Sequence, residues 1–191
     1  MEYAGFWKRF GAYWIDVVVM LPIIGISFLG NEVSRLFQLY SMVPILLFGL
    51  WFNVYLVKTY GGTPGKLLLK IKITRLDGSD VSYHEATLRY SVSFVLSVLS
   101  GLPLTLAILG MSDAEYFSLD WRERAATIRE RAPSWHGIVT TITTLWVWSE
   151  FIVILTNKKR RAIHDFIAGT VVIHKQVPND TLDLDTARIA D

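Results

Sequence analysis

FGAYWIDVVVMLPIIGISFLG, residues 10–30, is 21 residues long and carries one charge, Asp16. At ~1.5 Å of rise per residue, a helix of that length crosses a hydrocarbon core of roughly 30 Å. Lys8 and Arg9 stand just before it. Arg9 lies seven residues from Asp16, so at ~3.6 residues per turn the two project from nearly the same helix face. A carboxylate about two turns into a membrane is costly unless it has a partner or faces a wet cavity. A basic flank before an apolar run also suggests a signal peptide. This run is too long for an h-region, contains Asp16, and has no small-residue cleavage site near Gly30 and Asn31. It reads as an uncleaved first span.

Three further windows reach spanning length: 36–57 and 90–112, both without charge, and 137–156, whose one charge is Glu150. The whole chain is 52% hydrophobic and 13% aromatic, with mean hydropathy +0.37. That exceeds the ~45–50% apolar share of a soluble domain. The expected fold class is an all-α membrane protein with four transmembrane helices. Residues 1–176 form one membrane domain, and the polar, acidic stretch 177–191 reads as a disordered tail. The short link NEVSR at 31–35 makes spans one and two an antiparallel hairpin. Pro22, Pro44 and the Ser-Gly-Leu-Pro at 100–103 are the places to expect a kink or break. Ser93, Ser97, Ser100 and Gly101 allow a neighbouring helix to approach span three closely.

The segment 58–89 differs from the spans. After the turn-rich KTYGGTPGK, Leu69, Ile71 and Ile73 alternate with Lys70, Lys72 and Thr74, the period of a strand with one apolar face. Gly78 lies in a turn, and DVSYHEA (80–86) is the natural return strand, which predicts a small cytoplasmic β-hairpin between spans two and three. Between spans three and four, Ser112 and Glu115 fit a capping box. Phe117, Trp121, Ala125, Ile128 and Ala132 then recur at helical spacing. This predicts an amphipathic helix at the interface, or else a solvated helix packed on the protein.

Lys and Arg give the orientation. The 58–89 loop carries Lys58, Lys66, Lys70, Lys72, Arg75 and Arg89, and the segment after span four begins with Lys158 to Arg161. Both termini and the 58–89 loop are therefore expected in the cytoplasm. In that topology Asp16, Asn53 and Glu150 lie roughly 6–9 Å below the cytoplasmic surface, at ~1.5 Å per residue, with Arg9 and Arg89 at the rim. Such a layer either forms a cavity that binds a cation or passes a proton, or pairs its charges and fixes helix packing.

Other chemistry is poorly supported. Gly61 to Leu67, GGTPGKL, resembles a phosphate loop. It is one residue short, ends in Leu rather than Ser or Thr, and precedes a strand. Gly62 and Gly65 there read as turn residues at the bilayer surface, with Lys66 touching anionic lipid. His84, His136, His164 and His174 are scattered, and there is no cysteine and no G-x-S-x-G. No metal, cofactor, enzymatic activity or nucleic-acid partner is expected. The basic run Lys158 to Arg161 is an anchor beside acidic lipid.

Three separated motifs carry a family resemblance: Arg9-Phe10-Gly11-Ala12-Tyr13-Trp14-Ile15-Asp16, then Gly62-Thr63-Pro64-Gly65-Lys66 with Ile71-Lys72-Ile73 and Asp77-Gly78, then Arg160 to Thr170, RRAIHDFIAGT. Together they resemble the RDD family of bacterial membrane proteins, over about residues 6–175. The family is named for one arginine and two aspartates, which here correspond to Arg9, Asp16 and Asp165. The 112–136 insertion and Glu150 depart from its pattern. The resemblance implies a multi-pass protein of the bacterial plasma membrane. Some members have been proposed as cation/proton antiporters, and a eukaryotic relative looks like an assembly factor. Arg9 can reach either Asp16 on its own helix or Asp165 after span four. Two functions follow. The first is a membrane scaffold or accessory protein held by an Arg9–Asp16–Asp165 clasp, working with a second copy or another membrane protein. The second is a small oligomeric cation/proton exchanger using Asp16, with or without Glu150.

Overall fold

The computed structural model describes residues 1–175, so the tail expected at 177–191 lies outside the described residues. Helix α1 spans Phe6–Val33. Helix α2, Phe37–Leu50, passes through a π-helical turn, Trp51–Tyr55, into α3, Leu56–Tyr60. A short helix α4, Pro64–Leu68, and strand β1, Ile71–Arg75, precede α5, Tyr83–Leu109. Then come α6 (Asp113–Ser118), α7 (Trp121–Arg131), α8 (Trp135–Thr156), α9 (Ile163–Ile167) and strand β2 (Thr170–His174). Four stretches are long and apolar enough to cross a membrane: Phe6–Val33, Phe37–Leu68, Tyr83–Leu109 and Trp135–Thr156. Their outward residues, such as Val18, Ile24, Leu29 and Leu145, stand exposed, as side chains that face lipid must.

The expected small antiparallel sheet is present, but its second strand comes from elsewhere. β1 pairs with β2, Ile71 opposite His174 and Arg75 opposite Thr170. Residues 80–86 do not return as a strand. Asp80 makes one isolated bridge to Thr74, and helix α5 starts at Tyr83. The reason is a capping box. The Ser82 hydroxyl accepts from the His84 N–H, and the Glu85 carboxylate accepts from the Ser82 N–H at 2.7 Å. That capping chemistry begins the helix seven residues before the apolar run at 90. The N-terminus extends the sheet on β2's other edge: the Ala4 N–H donates to Val172 O and the His174 N–H to Glu2 O, both at 2.9 Å.

The other departures also have local causes. Helix α5 runs unbroken through Pro103. The π turn falls where Asn53 Nδ2 donates to Gly49 O at 3.1 Å, the carbonyl that the Asn53 backbone N–H would take in an α-helix. The insertion between spans three and four holds two helices instead of one, because Asp120 starts a new capping box with Glu123. These helices pack on the protein. The Arg124 guanidinium is buried over the Tyr116 ring and reaches Glu32 on α1 at 3.0 Å. Ile128 packs against Ile108, Met111 and Tyr116, while Phe117 and Trp121 remain exposed. As the serines of span three suggested, α5 meets α8 through them: Trp146 Nε1 donates to Ser93 Oγ at 3.2 Å, and Ser100 Oγ lies 3.3 Å from Thr143 Oγ1.

The tightest core lies at the sheet end of the bundle. Ile71, Ile73 and Val172 of the sheet pack there against Ala4, Ala12 of α1, Val57 of α3 and Ala86 of α5. The polar groups of interest sit directly beside this core.

Candidate functional site

Asp165, on the first turn of α9, has no exposed surface. Its Oδ2 accepts from Arg9 Nη1 at 2.6 Å and from the Ala162 N–H at 2.9 Å. Its Oδ1 accepts from Arg89 Nη1, and from the Thr170 hydroxyl at 3.3 Å. One carboxylate thus joins α1, α5, the start of α9 and the start of β2. Burial alone would raise its pKa, but the Arg89 and Arg9 guanidiniums override this and hold the carboxyl well below its usual range. Arg161 braces the same turn from outside, donating to Asp165 O at 2.7 Å and Thr170 O at 3.0 Å.

Arg9 therefore pairs with Asp165, and Asp16 belongs to a second cluster. The Asp16 carboxylate accepts from the Thr63 hydroxyl at 2.6 Å and from the Gly65 N–H at 2.7 Å, with Lys66 Nζ 3.9 Å away. It caps α4 from a different helix. Gly65 makes this contact possible. A Cβ there would run into the Ala12 carbonyl and come within 2.9 Å of Asp16 Oδ1. Gly62 is buried beside Lys66 and Leu67. Lys66, expected against lipid headgroups, is instead turned inward; its side chain is 20% exposed and also reaches Thr63 Oγ1 at 3.2 Å.

Part of the expected polar layer, Asn53 and Glu150 with Arg9 and Arg89, meets at one cavity of about 260 Å³. Arg9, Asn53, Lys66, Arg89, Glu150 and His164 line it, together with Tyr13, Tyr90, Trp146 and Phe151. Asp16 is not among the lining residues. Glu150 Oε2 lies against His164 Nδ1 without hydrogen-bond geometry, and Oε1 has no partner among the described residues. Burial, reinforced by Arg89, keeps the His164 imidazole well below its usual pKa, so it is neutral near pH 7. With Arg89 Nη2 at its Nε2, the imidazole proton belongs on Nδ1, facing Glu150.

His164 is the cavity residue that the sequence does not single out, being one of four scattered histidines. Arg89 was placed only at the rim. Reading Ser82-x-x-Glu85 as a helix start sets Arg89 inside the helix of span three. Thr63 and Thr170 carried no signal beyond lying next to motif glycines.

Among the described residues, no three His, Asp or Glu side chains are grouped to hold a metal ion. Neither a curated protein nor a solved structure matches the chain. A family model does: the RDD family description matches residues 3–169, a range that contains the shared Asp165, both arginines and the Asp16 cap. This four-span chain with its buried arginine–aspartate pairs belongs to the RDD family.

Proposed function

We propose that this protein is a membrane scaffold or accessory protein, with the sheet, α9 and both termini on the cytoplasmic side of a bacterial plasma membrane. The observation that carries this reading is the saturated Asp165 carboxylate, which accepts from four groups. A carboxylate held by two guanidiniums cannot readily release them to take up an ion. It does fix the post-span segment to α1 and α5, so the sheet becomes a rigid platform at the membrane surface. Positive charge supports the orientation: Lys58, Lys70, Lys72, Lys158 and Lys159 all belong to that end of the bundle. Anionic lipid is the natural contact for them.

A second reading, small-cation/proton exchange, is favoured by one observation: the unpartnered Glu150 oxygen beside neutral His164 at the cavity. In that reading the exchanging acid is Glu150, because Asp16 is engaged by Thr63 and Gly65. The test is proton movement in vesicles holding the purified protein, driven by Na⁺, K⁺ or Li⁺. The scaffold reading expects none. Flux that disappears in Glu150→Gln, with the protein still folded, would replace the scaffold by the exchanger.

A further inference from the structure

The cavity contains unsatisfied groups of both signs. Arg9 is 7% exposed, and its Nε and Nη2 have no partner among the described residues. Glu150 Oε1 is likewise buried and unpartnered. Both side chains line the same space. Donors and acceptors on charged groups rarely stay unpaired when buried, because each forfeits its hydration without return.

Counted at their ordinary charges, the lining Arg9, Lys66 and Arg89 are offset by the lining Glu150 and by Asp165 and Asp16 just behind the wall; His164 is neutral, and Arg161 braces the α9 turn from outside the cavity. A lone anion on Arg9, or a lone cation on Glu150, would leave a net charge in a desolvated site. A molecule carrying one charge of each sign would not. Size narrows the choice. About 260 Å³ is room for several waters at ~30 Å³ each, yet below the ~300–1,000 Å³ of sites for drug-sized ligands. Four aromatic side chains, Tyr13, Tyr90, Trp146 and Phe151, are among the lining residues, a composition that suits an ammonium group.

We propose that this cavity binds a small zwitterion, with its phosphate or carboxylate on Arg9 and Lys66 and its ammonium on Glu150. Small rotations of the Arg9 and Glu150 side chains bring their covered polar atoms to the ligand. The chemistry is that of a phosphoethanolamine lipid headgroup or of a free amino-acid-like solute. The inference stands on the cavity and does not depend on the scaffold reading.

The experiment is a thermal-shift titration of the purified full chain in detergent with glycerophosphoethanolamine, its N-acetyl derivative, inorganic phosphate and ethylamine. Only glycerophosphoethanolamine, whose phosphodiester carries a single negative charge against its ammonium, should raise the melting temperature saturably, and Glu150→Gln should weaken its binding at least tenfold. An equal response to phosphate or ethylamine alone would overturn the proposal, as would no response to any of them, or unchanged binding in Glu150→Gln. If that variant does not fold, the wild-type comparison with the acetylated compound decides, because acetylation removes the cation and keeps the anion. Repeating the titration in nanodiscs separates the two sources. A response abolished by phosphatidylethanolamine but kept in phosphatidylglycerol assigns the site to the lipid headgroup; a response kept in both assigns it to a free solute.

Discussion

Arg9 and Asp165 are 156 positions apart in the chain and 2.6 Å apart in space. The bond joins the first turn of the first span to the short helix after the fourth. Arg89 takes the other oxygen of the same carboxylate, so two cations on two spans share one anion.

Removing that anion leaves both guanidiniums buried and uncompensated. Asp165→Asn should therefore destabilise the protein by ~3–5 kcal/mol, the usual cost of breaking a buried pair on one side. Thr170→Val, which removes only a hydroxyl between Arg89 and Asp165, should cost ~1–3 kcal/mol. Reversible unfolding of both variants in mixed micelles ranks them. Equal losses would show that the charge is not what matters.

Gly65→Ala should destabilise by about 1–3 kcal/mol, as overpacking does, because its Cβ meets the Ala12 carbonyl. Gly101→Ala is the control: nothing lies within 4 Å of the Cβ it would add. Melting temperatures of the two variants, measured side by side, should separate clearly.

Asp16→Asn keeps the side chain's shape but puts an NH2, which cannot accept, in place of one of the two oxygens that take hydrogen bonds from the Thr63 hydroxyl and the Gly65 N–H, and it loses the charge facing Lys66, 3.9 Å away. A charge-assisted hydrogen bond contributes ~1.5–3 kcal/mol, so a loss in that range is expected. Proteolysis of the α4–β1 segment should accelerate with it. If stability and proteolysis both match the wild type, the cap on α4 is not holding that segment.

Protonation gives a further handle. The His164 pKa is lowered by burial and by Arg89, so below the unfolded value of ~6.5 the unfolded chain binds a proton that the folded one does not. Stability is then full above ~6.5 and falls as the pH drops below it, by up to about 1.4 kcal/mol per pH unit for one proton. The groups around the ring are Arg89, Asp165, Glu150, Lys66 and Arg9. Asp165 has a depressed pKa, so its contribution is lost only below the unfolded value of ~3.9. The apparent melting temperature should decline from pH 7.5 to 5.5 in the wild type and decline less in His164→Gln.

The four spans could be read from length and apolar content, because lipid imposes that requirement on any crossing helix. That Asn53 and Glu150 share a polar layer followed from the same constraint, since a polar side chain within a span must find company; Asp16, expected at the same depth, instead caps α4 away from the cavity, and Arg89, expected at the rim, is buried within α5. Pairing was harder. Arg9 had two aspartates within reach, and helix spacing made Asp16 as plausible as Asp165. What decided between them was the placement of α4, whose Thr63 and Gly65 claim Asp16 first. Strand β1 showed its alternation but not its partner. Ladder bonds form between any two compatible edges, and Thr170–His174 is remote in the chain. The Ser82–Glu85 box that starts α5 lies within the residues whose alternation reads as a return strand.

The sharing of Asp165 also sets an order in time. Synthesis at ~5–20 residues per second puts roughly eight to thirty seconds between the making of Arg9 and of its counter-ion. Arg9 awaits its partner through all of that interval, and Arg89 on the third span through about its second half. The nascent chain thus reaches the bilayer as an unfinished circuit, closed only when α9 emerges. A polypeptide interrupted before Asp165 would keep both cations without the anion they share.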